Sequence, residues 1–146
     1  ALTKDIKRTY EYHGAEHKTI ACYEHEEELT VENVKKYTRF HPRCGTSFIF
    51  LVLFISIFVN TIFRVSWANI WLRVIIKIAL LPIVTGIAYE LIRLAGRYDN
   101  IFTKIISAPG LWIQRITTSE PDGSQIECAI VALKACIPEN KEDDKW

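Results

Sequence analysis

At 146 residues the chain has room for one ordinary domain, and a formal net charge of +1 gives it no basic footprint of the kind a nucleic-acid partner requires. It carries no internal repeat and no low-complexity block, which excludes a solenoid. The apolar residues gather in the middle and the charges at the two ends, so distribution, not average composition, sets the class.

Thr9 to about Glu27 reads as a polar helix, and within it Tyr12-His13-Gly14-Ala15-Glu16-His17-Lys18 places two imidazoles and a carboxylate at His-x-x-Glu-His spacing. Residues three and four apart share a helix face, so His13, Glu16 and His17 can converge on one metal ion. This is the ligand order of the inverted zincins, with both His on zinc and the Glu handling a proton. Gly14 costs about 1 kcal/mol relative to Ala in a helix, and a residue so small admits another backbone or a metal shell. The acidic run Glu24–Glu28, with His25 inside it, reads as solvated surface. Thr30 is the expected N-cap of a helix over Val31–Phe40. Segment 9–40 is thus expected to be cytoplasmic and helical.

Arg39 to Phe48 reads as a turn, because Pro42 disfavours helix at His41 and Gly45 permits a bend. His41 and Cys44 stand at His-x-x-Cys spacing, a second pair of donors suited to zinc; Arg43 between them suits lipid headgroups. From Cys44 to Phe63 there is no charge, and 47–63 is expected to be a transmembrane helix. The segment 70–94 is expected to be a second, with Arg73 and Lys77 near its start and Glu90 and Arg93 near its end, where charges can snorkel. Trp67 and Trp71 lie in the short connection, as suits aromatic residues at headgroup level, and Pro82 and Gly86 predict a kink. The rest of the chain is too short to cover two all-round apolar helices as a soluble core. Lys35, Lys36, Arg39, Arg43, Arg93, Arg97 and Lys104 lie outside the pair, with Arg64 alone in the loop. The positive-inside rule therefore predicts a multi-pass protein of the cell membrane with both termini cytoplasmic. In that reducing compartment disulfides are not expected, and Cys22, Cys128 and Cys136 read as core residues. A hairpin brings Glu90 to the same membrane face as Cys44, and an ionisable residue at that depth is a functional candidate.

Asn100–Ser107 reads as a short amphipathic helix and Pro109 as the start of another, with Trp112 suited to an interface. Thr117 to Gly123 has turn composition. Asp122 or Ser124 then caps a helix over Gln125–Ile137, whose apolar residues keep the helical period. Glu120, Asp122 and Glu127 are further site candidates, though turn and cap duties explain them equally. Segment 97–137 is expected to be interfacial and cytoplasmic, and the charged tail 138–146 frayed. The sum is an all-α fold: a two-helix transmembrane hairpin with cytoplasmic N- and C-terminal amphipathic helices, one membrane-associated unit over 1–146.

Four motifs in this order, His-Gly-Ala-Glu-His-Lys at 13–18, His-Pro-Arg-Cys-Gly-Thr-Ser at 41–47, Pro-Gly-Leu-Trp at 109–112 and Thr-Thr-Ser-Glu-Pro-Asp at 117–122, resemble the YqhQ-like family of bacterial membrane proteins. The resemblance implies a membrane location and a metal-dependent enzyme of unknown substrate. It also implies a glycine-rich region ahead of the His motif, which would make this chain a fragment. Two metal readings follow. In a membrane hydrolase, His13, His17 and Glu90 hold zinc or another divalent metal, a water fills the fourth position and Glu16 takes its proton. In a regulatory or scaffolding protein, His13, His17, His41 and Cys44 close a tetrahedral structural site. A third reading has no metal and a buried polar network instead. The expected partners are the lipid bilayer and either a second copy or another membrane protein.

Overall fold

A computed structural model describes residues 3–62, 70–98 and 100–138. Among them are six helices and no strand: α1 Lys4–Glu24, α2 Val31–Lys35, α3 Gly45–Ile62, α4 Ile70–Arg97, α5 Ile101–Thr117 and α6 Gly123–Cys136. The chain comprises two compact groups of residues, 3–41 with 111–138 and 42–62 with 70–98 and 100–110. Arg64, Trp67 and the tail beyond Pro138 lie outside the described residues.

In the first group α1 begins at Lys4, ahead of the expected Thr9. Thr3 caps it by accepting from the Ile6 N–H, and Asp5 complements the helix dipole in the first turn. It ends at Glu24, short of Glu27: the His25 Nδ1–H donates to the Ala21 carbonyl at 2.7 Å, and Glu26 turns the chain with φ 56°. Thr30 caps α2 as expected, its hydroxyl accepting from the Asn33 N–H at 3.3 Å. The helix stops at Lys35 instead of Phe40, because residues 39–41 make hydrogen bonds to other elements in place of a helical ladder. Asp122, not Ser124, caps α6 in a reciprocal capping box with Gln125. α1 packs on α6 and α2 around Ala15, Cys22, Val34, Ile126 and Ile130. Full burial of a Val or Ile side chain stabilises by about 1.5–3 kcal/mol, so this small core depends on few residues. Cys22 belongs to it as expected. Cys128 and Cys136 do not: both are exposed, since α6 turns Gln125, Ile126 and Ile130 inward.

In the second group α3 and α4 pack on one another, and each is long and apolar enough to cross a membrane. Only 6% of each apolar window is buried, and Phe54, Phe58, Ile75, Ile78 and Leu81 face outward. A helix pair forming the core of a soluble protein would be covered instead. Gly45 opens α3 rather than bending the chain, and α4 runs three residues past Leu94. Inside α4 the Thr85 hydroxyl donates to the carbonyls of Leu81 and Pro82 at 2.9 and 3.0 Å, so this apolar segment satisfies its polar side chain internally. The Arg43 stem lies on Gly96, and Ser47 lies on Gly110. α5 is one helix where two are expected. It starts on paired hydrogen bonds between Asn100 and Thr103 and continues through Pro109, which withholds only its own N–H.

Candidate metal centre

His13 and His17 are one helical turn apart on α1, and their ring centroids stand 4.4 Å apart. A ring nitrogen of one lies within 4.8 Å of a ring nitrogen of the other. His41, from the segment after α2, brings its ring centroid to 5.9 Å from that of His17. His17 and His41 are buried and His13 half-buried.

Each of these rings has one nitrogen held by an acceptor. The His13 Nδ1–H donates to the Thr117 carbonyl at 2.9 Å, and the His17 Nδ1–H to the Arg39 carbonyl at 2.7 Å. A carbonyl can only accept, so Nδ1 carries a proton in both rings. His41 is held through its other nitrogen, donating Nε2–H to the Glu24 carboxylate at 3.1 Å. Backbone carbonyls and a carboxylate behind the rings are the supports that metal-ligating histidines ordinarily have. Two nitrogens on one tetrahedral zinc stand about 3.4 Å apart at ligand distances of about 2.0–2.1 Å. The rings of His13 and His17 thus stand close together on one face of α1, with the His41 ring beside His17.

The supports come from the stretch between α5 and α6. Thr117 holds His13, and the Thr118 hydroxyl and carbonyl accept from Arg39, the hydroxyl at 3.0 Å. The Ser119 N–H donates to the Tyr10 carbonyl at 2.8 Å while its own carbonyl lies on Gly14. That approach is the backbone contact for which the small residue in the motif makes room. Glu120 pairs with the buried Lys18, which also donates to the Lys35 carbonyl at 3.4 Å. Asp122 serves as the α6 cap, and hydrogen bonds from the Gln125 N–H and from Ser124 hold its carboxyl below the usual carboxylate range. Glu120 and Asp122 thus have structural duties here.

Glu16 is exposed, since the buried side of α1 runs through Gly14, His17, Lys18 and Ala21. Glu90 is exposed on α4 and pairs with Arg93 at 3.7 Å, an arrangement worth little energetically. Glu127 is exposed on α6. Cys44 is buried just ahead of α3, its sulfur 3.0 Å from the Thr46 hydroxyl, and Arg43 covers Gly96.

Two residues of the site escape sequence reasoning. Glu24 belongs to an acidic run that reads as solvated, yet it stands behind His41; its spacing of seven from His17, two helical turns, places it on the same side of α1. Gln114 is fully buried and clamps the His41 backbone, accepting from its N–H at 2.9 Å and donating to its carbonyl at 2.7 Å. A lone amide in Leu111-Trp112-Ile113-Gln114 is the signal that marks it.

The family model for DUF1385, a protein of unknown function, matches residues 1–139. The uncharacterised protein YqhQ of Bacillus subtilis (strain 168) is 45% identical over 138 residues, covering 94% of this chain and 43% of that protein. The chain thus spans less than half the length of that relative. No solved structure matches. The chain belongs to the DUF1385 family, the YqhQ-like proteins that its four motifs resemble.

Proposed function

We propose that this chain is a metal-binding membrane protein in which His13, His17 and His41 hold zinc, or another divalent transition metal, in a structural site with a scaffolding or regulatory role. The observation that carries the reading is the clustering of the three rings, His13 and His17 with centroids 4.4 Å apart and His41 at 5.9 Å from His17, each also held from behind by a carbonyl or carboxylate. The His-x-x-Cys spacing of the sequence offers Cys44 as the fourth donor of a closed tetrahedral set. In this reading α3 and α4 cross the bilayer as a hairpin, lipid is the partner of their outer faces, and the basic residues flanking the pair keep both termini in the cytoplasm. The exposed apolar surface of both helices supports it.

A second reading is a hydrolase, favoured by the number of histidines: three imidazoles with water in the fourth position is also a catalytic zinc set. The metal would supply an activated water, and Glu16 would accept its proton. The exposure of Glu16 and the Glu90–Arg93 pair weigh against it.

Metal analysis of the chain purified without added zinc is expected to find about one zinc per chain, lost on His13→Ala, His17→Ala or His41→Ala. Absence of metal from the parent chain overturns both readings. X-ray absorption then separates them. A sulfur neighbour near about 2.3 Å supports the closed site, whereas nitrogen and oxygen alone support the open one. In the open case Glu16→Gln keeps the zinc and abolishes turnover.

A further inference from the structure

α5 is inside out. Its buried residues are Thr103, Gly110 and Gln114, small or polar. Thr103 closes the helix start with Asn100, Gly110 receives Ser47, and Gln114 clamps His41. Its outward residues are Ile101, Phe102, Ile105, Trp112 and Ile116, between 63% and 76% exposed. At roughly 100° per residue these five fall within a stripe about 100° wide, and the buried residues fall on the opposite side. A surface helix in water shows the reverse arrangement.

We infer that this stripe of α5 is immersed in the acyl-chain border of a lipid bilayer, making α5 a third membrane-bound element besides α3 and α4. Two features favour lipid over a second copy of the chain. Lys104 and Arg115, both exposed, lie about 40–60° beyond one edge of the stripe, positioned to snorkel to phosphate headgroups. Lysine is depleted from protein interfaces. Trp112 inside the stripe is the residue type that settles at the headgroup boundary. The inference rests on the membrane reading of α3 and α4, and its test keeps the two apart.

The full chain is reconstituted into phosphatidylcholine–phosphatidylglycerol vesicles whose acyl chains are brominated at shallow or deep positions. Three single-tryptophan versions are compared. One retains Trp112 after Trp67→Phe, Trp71→Phe and Trp146→Phe, and one retains only Trp71 on α4. The third has all four tryptophans replaced by Phe and carries Ile105→Trp as a second reporter on the stripe. Shallow bromines are expected to reduce the emission of both α5 reporters roughly twofold or more, with deep bromines acting less. Unquenched α5 reporters beside a quenched Trp71 overturn the inference and leave the membrane reading standing. If Trp71 is also unquenched, both fall.

Discussion

Gly14 carries the sharpest residue-scale consequence. An alanine would gain about 1 kcal/mol in helix propensity, but its methyl group would run into the Ser119 carbonyl, a backbone atom held by the Ser119–Tyr10 hydrogen bond. Overpacking of this kind costs about 1–3 kcal/mol, so Gly14→Ala is expected to lower the melting temperature, whereas Gly45→Ala, whose added methyl would meet nothing, is not. Cys22 gives a second test. Burial chiefly, and then the Glu27 charge, push its thiol above the ordinary range. The folded-state value thus exceeds the unfolded one; the associated stability is intact at neutral pH and declines as pH rises above about 8.5. Alkylation at neutral pH should accordingly label the exposed Cys128 and Cys136 and reach Cys22 only on unfolding. The same pair corrects the periodic reading of α6: an apolar period identifies a helix, but which residues turn inward depends on where α1 lies against it.

Between elements, Gln114 ties α5 to the segment that carries His41. Gln114→Ala leaves a buried N–H and a buried carbonyl without this partner, at a cost of about 1–3 kcal/mol for each unsatisfied group. Because the His41 backbone then loosens, the proposed zinc site predicts an affinity loss of about 10- to 100-fold, the usual consequence of losing a support behind a ligand. Competition with a zinc-binding dye checks it: an unchanged affinity in a destabilised variant would confine Gln114 to folding. Helix existence and type follow from local signals in this chain. Thr30, Asp122 and the apolar runs mark α2, α6, α3 and α4, whereas the end of α2 at Lys35 depends on hydrogen bonds from Arg39 and His41 to other elements, with no local mark.

For the whole molecule, the proposed hairpin with both ends in the cytoplasm predicts a labelling pattern. In intact bacteria expressing the chain, a membrane-impermeant maleimide should leave Cys128 and Cys136 unmodified, and lysis should make both reactive; labelling before lysis would reverse the assigned orientation. The sequence by itself determined the helical class, the two long apolar helices and the pairing of His13 with His17, because period, charge distribution and the spacing of neighbours on one helix are local properties. Only the tertiary structure decided that the His41 ring lies beside that of His17, that Thr117, Arg39 and Glu24 each hold a nitrogen of one ring, and that α5 turns its apolar side outward. The physical reason is that these contacts join residues far apart in the chain, and a side chain's partner across such a distance is fixed by packing alone.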